Sequence, residues 1–455
     1  MTQLDATALD NFKQRISGEV VTPGDPEFDT LRRIHNGMID RNPAVIVRCI
    51  GVADVIDAVQ LAVSQNLEIA VRGGGHNVAG RAVCDDGMMI DLSLMKGTWV
   101  DPRSRRIRAQ GGVTWGEFNR ATQVHGLAAT GGAISSTGVA GLTLGGGFGY
   151  LMGKLGLTID NLHAAELVTA QGEVLRASAD ENGELFWGLR GGGGNFGVVT
   201  SLEFDLHEIG PRVNGGMIAF PFTDGARFLD IYREITSATD DDFSLLAGFT
   251  HARDGSGTKL AAMLPCHCGS AKAVGKVFDS IRSIGMPAVD TLAPMPYTAL
   301  NELLDPGVPK LDLYYWKSCF IDDISDDVGR ILMEQFEITP SPQCKLFLEH
   351  FHGAAIKPDA SATAFPHRKP GYSVLIIAQW TDSSLSDSCI AWARETYRRL
   401  LEHSDGGVYS NYMDDDETAR LGNAYGDNLP RLQALKNTYD PDNIFHLNQN
   451  IPPTK

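Results

Sequence analysis

The chain has 455 residues, a formal net charge of −17 at pH 7 and a hydrophobic fraction of 43%. A single core stops growing well below this length, so we expect two domains. The negative charge argues against nucleic acid or anionic membranes as partners, because their phosphates would be repelled. Residues 1–5 show no signal-peptide pattern, no segment is apolar enough to span a bilayer, and the 7 cysteines are scattered; we therefore expect a cytoplasmic protein with reduced thiols.

A glycine-rich segment at residues 72–80 follows a predicted strand. Its sequence is Arg72-Gly73-Gly74-Gly75-His76-Asn77-Val78-Ala79-Gly80, and the apolar residues 67–71 precede it. The glycines allow a sharp turn and let backbone N–H groups approach a bulky anion, with His76 held against the ligand. The alternative is a glycine-rich surface loop with an incidental histidine.

Two further glycine-rich segments follow, at residues 130–150 and 189–200. The first consists mostly of small residues, which suits a wall for a large flat ligand better than a core. The second contains a G-x-G-x-x-G match at Gly192, Gly194 and Gly197. A Rossmann fingerprint follows a strand and opens a helix, whereas here a predicted helix (180–189) precedes and a predicted strand (198–204) follows. This order argues against a nicotinamide cofactor, and no G-x-x-x-x-G-K-[ST] sequence supports a kinase.

Residues 208–405 have longer predicted elements. Helical periodicity is clear at 228–235, 274–281, 328–336 and 390–400, and strands are predicted at 245–251, 259–265, 313–320, 345–352 and 373–380. This pattern favours an α+β fold in which helices cover one face of an antiparallel sheet. The other face is then free to cover a site.

Side-chain alternation along these strands identifies candidate substrate contacts. Tyr314 and Trp316 share a face, as do His350 and His352, while Lys317 lies on the face opposite Tyr314. In the last strand the apolar set beginning at Val374 is expected to face the helices, which leaves Gln379 toward the site. The alternative for the two histidines is an ordinary surface role. The predicted substrate contacts are Tyr314, Trp316, Lys317, His350, His352 and Gln379.

The C-terminal residues 406–455 contain Tyr409-Ser410-Asn411-Tyr412 and a polar segment ending near Asn450. Elsewhere, Cys266-His267-Cys268 is the one cluster of potential metal ligands. It lacks a second ligand pair at zinc-site spacing, so we predict no metal site.

The four motif segments, in this order, resemble the vanillyl-alcohol oxidase superfamily, and within it the berberine-bridge-enzyme-like oxidases, a group with bacterial 6-hydroxynicotine oxidase among its members. The matching stretches are residues 71–80, 145–150 with 156–161, 184–200 and the C-terminal set. The resemblance implies an α+β, two-domain FAD-binding fold of the vanillyl-alcohol oxidase/para-cresol methylhydroxylase type. The expected parts are an FAD-binding domain (1–207), a substrate-binding domain (208–405) and a C-terminal return (406–455).

The same resemblance implies how FAD is held. The family histidine that bonds to the 8α-methyl carbon of FAD corresponds to His76, and a cysteine that bonds to C6 in many relatives corresponds to Ile134, so we predict one covalent attachment. Backbone N–H groups are expected to bind the pyrophosphate. The predicted cofactor contacts are Arg72, Gly73, Gly74, Gly75, His76, Asn77, Ala79, Ser136, Thr137, Gly138, Gly141, Gly146, Val199, Asn411, Asn448 and Asn450.

Tyr412 and Tyr409 correspond to the family tyrosines beside the flavin, and Tyr412 is the expected proton acceptor. A phenol with a pKa near ~10 becomes a base at neutral pH only if phenolate is stabilised by roughly 4 kcal/mol, for which a nearby cation would help. The alternative is two tyrosines with ordinary hydrogen bonds. The predicted activity is removal of hydride from an alcohol, phenol, amine or sugar carbon to flavin N5, followed by reoxidation by oxygen to give hydrogen peroxide. Alternatives are a flavin dehydrogenase with another acceptor, or a flavin-binding protein without turnover.

Overall fold

The computed structural model describes residues 4–454, except the side chains of residues 418 and 419. Residues 1–3 and residue 455 lie outside the described part. Residues 1–3 belong to the segment for which we predict no signal peptide. The helices are α1 (Ala6–Arg15), α2 (Phe28–Leu31), α3 (Val52–Ser64), α4 (Trp115–Gln123), α5 (Val139–Gly145), α6 (Met152–Leu155), α7 (Gly183–Leu189), α8 (Gly225–Ser237), α9 (Ala271–Arg282), α10 (Tyr297–Asn301), α11 (Asp326–Glu337), α12 (Ser386–Leu400), α13 (Leu421–Tyr425) and α14 (Leu429–Tyr439).

The strands are short in the first part of the chain and longer in the second. They are β1 (Glu19–Val21), β2 (Val45–Arg48), β3 (Ile69–Arg72), β4 (Met88–Asp91), β5 (Thr98–Asp101), β6 (Arg106–Gln110), β7 (Leu127–Ala128), β8 (Leu162–Val168), β9 (Val174–Ser178), β10 (Val198–Asp205), β11 (His207–Glu208), β12 (Arg212–Gly215), β13 (Ile218–Pro221), β14 (Phe243–His251), β15 (Lys259–His267), β16 (Val289–Asp290), β17 (Ala293–Pro296), β18 (Leu313–Ile321), β19 (Lys345–Phe351) and β20 (Gly371–Trp380).

The first part of the chain forms a four-stranded sheet in the order β1-β2-β4-β3 and a five-stranded sheet in the order β5-β6-β10-β8-β9. In the first sheet β4 runs parallel to both β2 and β3, while the second is antiparallel. The strand predicted before the first glycine-rich segment is β3. Around the third segment, α7 precedes and β10 follows, which confirms the helix-then-strand order that argued against a Rossmann fingerprint.

The second part forms a nine-stranded sheet with the main order β16-β13-β15-β14-β19-β20-β18, and β12 and β17 attached beside β15. Its strand pairs are antiparallel. Helices α8, α9, α11 and α12 bury their apolar sides on one face, where Phe228, Phe278, Leu332 and Trp392 pack against inward-facing strand residues. The prediction of an antiparallel sheet covered by helices on one face is confirmed.

Strand residues alternate between the helix-covered face and the face turned toward the glycine-rich segments. Val374, Ile376 and Ala378 of β20 lie in the helix-covered core, as predicted, whereas Leu375 and Ile377 lie on the opposite face. The uncovered face is therefore aliphatic in β20 and lies against the first part of the chain, where Leu375 contacts Val78 of the first glycine-rich segment.

The C-terminal residues pack into the first part of the chain. Leu432 and Leu435 of α14 join the core that contains Trp187 and Phe196. The ammonium of Lys436 is fully buried, 2.7 Å from Asp440, and also donates to two main-chain carbonyls. The domain boundaries at 207/208 and 405/406 stay predictions. No helix in the described part is both long and apolar enough to cross a bilayer.

Replacement of Lys436 by methionine should destabilise the protein by about 3–5 kcal/mol, because the carboxylate of Asp440 would be left buried without a counter-charge. Urea denaturation monitored by intrinsic fluorescence measures this loss. Glu184→Gln is the matched control. It breaks an exposed ion pair between Glu184 and Arg431, which lies on the same helix as Lys436, and this variant should lose at most about 1 kcal/mol of stability. Equal losses in the two variants would contradict the anchoring role of Lys436.

Candidate active site

A cavity of about 590 Å³ lies between the first two glycine-rich segments and the uncovered face of the nine-stranded sheet. Predicted cofactor residues form one wall: Gly73, Gly74, Gly75, His76, Asn77, Thr137, Gly138 and Gly141. The opposite wall comes from β13, β14, β15, β19 and β20 and is mostly aliphatic. Tyr409, Asn411 and Tyr412 enter from the C-terminal part of the chain. The cavity thus joins motifs that are more than 300 residues apart in the chain.

The first glycine-rich segment presents a run of unpaired backbone donors. The seven N–H groups from Gly73 to Ala79 donate no hydrogen bond within residues 4–454, and the N–H groups of Ser136 and Gly138 are also without acceptors there. Gly74 and Gly138 are in direct backbone contact: a Cβ on Gly74 would lie 2.3 Å from the nitrogen of Gly138. With no Cβ at their point of contact, the two segments place their backbone donors side by side, an arrangement that suits a bound anion.

His76 is held at the cavity wall by two polar partners and one ring. Its Nε2 lies 2.8 Å from the Ser136 hydroxyl oxygen, and its Nδ1 lies 3.5 Å from that of Thr137. The ring stacks on His35 with 4.0 Å between centroids. Burial, with smaller contributions from His35 and Lys310, holds the pKa of His76 well below its usual value. The imidazole is therefore neutral at pH 7 and keeps a nucleophilic nitrogen.

His35 is a site residue that the sequence patterns do not identify. It lies outside every motif, yet its main-chain N–H donates to the carbonyl of Gly75 and its ring stands between those of His76 and Tyr314. Burial lowers the pKa of His35 to about 4, so both stacked imidazoles are neutral. His35 thus fixes the plane of the His76 ring without adding charge.

Tyr412 donates a hydrogen bond to Glu349, with 3.0 Å between its hydroxyl oxygen and the carboxylate Oε1. The other carboxylate oxygen accepts a 2.9 Å bond from Ser373. Burial raises the pKa of Glu349 to about 7, and burial together with the adjacent carboxylate raises the pKa of Tyr412 well above its usual value. A nearby cation would help Tyr412 to act as a base, but the side chain to which it hydrogen-bonds is a carboxylate, which favours the protonated phenol.

Tyr409 lies beneath Tyr412 and has a structural environment. Its ring stacks on Phe148 at 3.9 Å, and its hydroxyl oxygen accepts from the N–H of Gly147 and from the amide of Asn411. Burial raises the pKa of Tyr409. Asn411 also donates to the carbonyl of Leu142, which ties the C-terminal segment to the second glycine-rich segment.

The remaining predicted cofactor residues lie at varying distances from the cavity. The guanidinium of Arg72 is paired with Asp91 of β4, so its main chain alone is available to a ligand. Ile134 lines the cavity. Val199 lies in the core formed with Phe196, Ala79 is buried, and Gly146 packs against Phe365. The amide oxygens of Asn448 and Asn450 are buried and have no hydrogen-bond partner in the described part.

Trp316 lines the cavity and Tyr314 packs beside it with Val78 and Leu375, as predicted for that face of β18. Gln379 is on the same side of the sheet, where its amide donates to Asp312 and accepts from Lys345. Of these three predicted contacts, Trp316 lines the cavity, and Tyr314 and Gln379 lie beside it on the same face of the sheet.

His350, His352 and Lys317 do not line the cavity, which corrects their assignment as substrate contacts. In β19 the residues facing the cavity include Lys345, Phe347 and Glu349, so alternation directs His350 to the helix-covered side, where its ring packs at a tilt against Tyr372. His352 bonds to the carbonyl of Phe243.

Lys317 points to the helix-covered face of β18, where its ammonium pairs with Asp416 and, at 3.1 Å, with Glu417. Because β18 is the edge strand, the segment after Tyr412 wraps around that edge: Tyr412 lies in the cavity and the acidic residues lie on the other face. The N–H of Trp316 donates to Asp414 at this edge. Lys317 therefore positions the segment that carries Tyr412.

Two family models match the chain: "FAD binding domain" at residues 43–178 and "Berberine and berberine like" at residues 408–452. (R)-6-hydroxynicotine oxidase of Paenarthrobacter nicotinovorans is 31% identical, covering 96% of this chain and 97% of that protein. An FAD-linked oxidoreductase of Dictyostelium discoideum is 30% identical, covering 98% and 97%. The crystal structure of 6-hydroxy-D-nicotine oxidase from Arthrobacter nicotinovorans superposes with a TM-score of 0.88 at 30% identity, covering 96% of this chain and 98% of that one.

The chain belongs to the berberine-bridge-enzyme-like group of vanillyl-alcohol oxidase-type flavoproteins and is an FAD-linked oxidoreductase. The predicted family, its two-domain α+β fold and the enzyme class are confirmed. The residues present fit FAD: unpaired backbone N–H groups at the first glycine-rich segment suit its pyrophosphate, and the unpartnered amide oxygens of Asn448 and Asn450 suit its polar groups.

Replacement of Gly141 by alanine should lower flavin content without destabilising the fold. A Cβ at Gly141 meets no protein atom within 4 Å but projects at the cavity wall, and alanine improves the propensity of α5 by about 1 kcal/mol. The measurements are the flavin-to-protein absorbance ratio and the melting temperature. Gly275→Ala in α9, where a Cβ also meets nothing within 4 Å, is the control and should retain flavin. Full flavin content in Gly141→Ala would exclude this wall from the cofactor site.

Proposed function

We propose that this enzyme oxidises a small organic substrate at a carbon bearing a hydroxyl or amine, and that Glu349 takes the substrate proton by way of the Tyr412 hydroxyl. Bound FAD supplies the hydride acceptor at N5. The observation that carries the proposal is the 3.0 Å hydrogen bond between Tyr412 and Glu349 in the cavity that also contains His76. Alcohols, amines and sugars fall within this class, and a phenol does so through a side-chain carbon that bears the hydroxyl or amine.

The protonation states of the pair favour Glu349 as the final acceptor. A general base works best when its pKa lies near the operating pH, and the pKa of Glu349 is raised to about 7. The phenol of Tyr412 stays protonated and already donates toward that carboxylate. As the substrate O–H or N–H proton passes to the Tyr412 oxygen, the tyrosine proton passes to Glu349, while the C–H bond gives up its hydride. The substrate loses two electrons and becomes a carbonyl or imine.

His76 is the proposed single covalent attachment point of the cofactor. Its neutral imidazole is oriented by the stacked ring of His35 and the hydroxyl of Ser136, and Ile134 offers no second nucleophile. Oxygen is the proposed electron acceptor, which would yield hydrogen peroxide. Oxygen uptake by the purified holoenzyme over alcohols, sugars, phenols and amines tests this step, and flavin bleaching without uptake would instead identify a dehydrogenase.

Acid precipitation of the native protein should give a yellow pellet, because a covalently attached flavin is not released when the fold is lost. His76→Ala should give a colourless pellet and a yellow supernatant. Ser136→Ala removes the 2.8 Å partner of the imidazole and leaves the nucleophile in place, so it should slow attachment without abolishing it. A colourless pellet from the native protein would contradict the attachment.

Glu349→Gln and Tyr412→Phe should each lower the rate of anaerobic flavin reduction by about 10²–10⁴-fold while flavin stays bound, because general-base assistance is lost. Since Glu349 acts as its carboxylate, the native rate should rise with pH and level off above about 7. This step should be absent in Glu349→Gln. Stopped-flow reduction across pH 5.5–9 measures both effects.

Ser373→Ala provides a control for the identity of the titrating group. Ser373 donates to the Glu349 carboxylate, and that bond lowers the carboxyl pKa, so its loss should move the rising step to higher pH with a similar plateau. A structural role for the pair would leave the rate within about threefold of native in both primary variants, since one lost hydrogen bond affects mainly stability. That result would place proton transfer on another residue.

A further inference from the structure

The cavity extends well beyond the proposed proton acceptor. Glu349, Phe347 and Lys345 alternate along β19 toward the same face, and all three line the cavity. At roughly 3.3 Å per residue, the Cα atoms of Glu349 and Lys345 are about 13 Å apart along the strand. The lining residues level with Phe347, midway between these two ends, are Gly248, Ala262 and Leu375, and all of them are apolar. A substrate reacting at Glu349 therefore has a long apolar channel for the rest of its structure.

Lys345 is a buried cation without an acidic partner. The residue is 8% exposed. Its ammonium donates to the Gln343 carbonyl at 2.8 Å and to the Gln379 amide oxygen. No carboxylate lies within 4.0 Å of it in the part of the chain described. Burial, with a smaller repulsion from Arg253, lowers its pKa to about 7.

Arg253 is the second cation at this end of the cavity. It follows β14, lines the cavity and packs against Gly307, where a Cβ would lie 2.6 Å from Nη2. Between residues 4 and 454 its guanidinium has no hydrogen bond or ion pair. Burial alone lowers its pKa. Five N–H donors thus remain available for a ligand.

Two carboxylates lie near this end of the cavity, and each is hydrogen-bonded to neutral groups. Asp312 accepts from Gln379 at 2.7 Å and from Gln343 at 3.2 Å, and Asp254 accepts from the N–H of Ser256. Gln379 therefore stands between Asp312 and Lys345, its NH₂ toward the acid and its carbonyl toward the ammonium. This arrangement orients Lys345 without neutralising it. The buried ammonium of Lys345 is costly unless a ligand supplies the opposite charge, whereas Arg253 is exposed to solvent and its N–H donors remain accessible to a ligand.

We propose that Lys345 and Arg253 form an anion subsite, and that the substrate is an elongated, largely apolar carboxylate. Its oxidisable carbon lies at Tyr412 and Glu349, and its carboxylate lies roughly 10 Å away along β19, within the span set by the strand rise. A carboxylate matches this pair because it accepts one N–H from an ammonium and two from a guanidinium fork. The proposal rests on the proposed function, since it takes Glu349 as the reacting end.

The test compares 6-phenylhexanoate with 6-phenylhexan-1-ol, two probes of the same length and apolar surface. Binding to the flavin-loaded protein is followed by flavin difference absorbance and by calorimetry. The carboxylate should bind at least on the order of tenfold more tightly than the alcohol, as charge-assisted hydrogen bonds imply. Lys345→Met and Arg253→Gln should each remove most of that preference, with alcohol affinity changed by less than about threefold.

Lys276→Met and Arg103→Gln remove matched charges from exposed positions and should leave the preference intact. Arg253 lies at the surface, so its variant reports on the subsite even if Lys345→Met folds poorly. Equal affinity for the two probes in the native protein, binding of neither probe, or an unchanged preference in Arg253→Gln would each overturn the subsite. These measurements need no turnover, so their failure leaves the proposed oxidation standing, and a failure of flavin reduction leaves the binding result valid.

Discussion

The backbone contact between Gly74 and Gly138 is the constraint on which the site depends. With a hypothetical Cβ on either residue about 2.3–2.4 Å from the other's nitrogen, no side chain fits between the two loops. Their approach sets the N–H donors of the first segment beside the second segment and brings His76 within reach of Ser136. Main-chain N–H groups thus dominate this wall of the cavity, His76 adds its imidazole, and the sheet supplies the side chains of the opposite wall.

Much of the fold follows from local patterns, whereas the site follows only in part. Helical periodicity located α8, α9, α11 and α12, and the reversed helix–strand order at the third glycine segment was correct because both elements are strongly patterned. In β19, His350 is predicted as a substrate contact because of its chemistry, although the alternation of side chains along the strand indicates otherwise. Leu346 and Leu348 face the helices. Alternation therefore places His350 on the helix-covered face and Glu349 on the face turned toward the cavity.

Other features of the site had no local signal. His35 comes from an irregular loop and meets His76 only through tertiary folding. The engagement of Lys317 with Asp416 and Glu417 depends on a segment about 100 residues later wrapping an edge strand, which no spacing in the sequence indicates. The neighbour of Tyr412 likewise depends on which residues of β19 face the cavity, and that neighbour is Glu349.

The same apolar cavity shifts the pKa values of an acid and a base toward each other. Burial raises the pKa of Glu349 and lowers that of Lys345, each to about 7. Both groups are therefore near half-ionised at neutral pH, one at each end of the channel. A ligand that brings its own charge to the Lys345 end would hold the ammonium protonated while leaving Glu349 free to accept a proton.

The wrapping of residues 412–417 around β18 has a consequence for how the enzyme is made. Tyr409, Asn411 and Tyr412 leave the ribosome after both glycine-rich walls and the entire sheet have been synthesised. Domains fold progressively during synthesis, so the sheet edge can form first, and residues 412–417 then pack around β18. The Tyr412–Glu349 pair is then completed last, and a chain released before residue 412 would contain Glu349 in the cavity without its tyrosine partner.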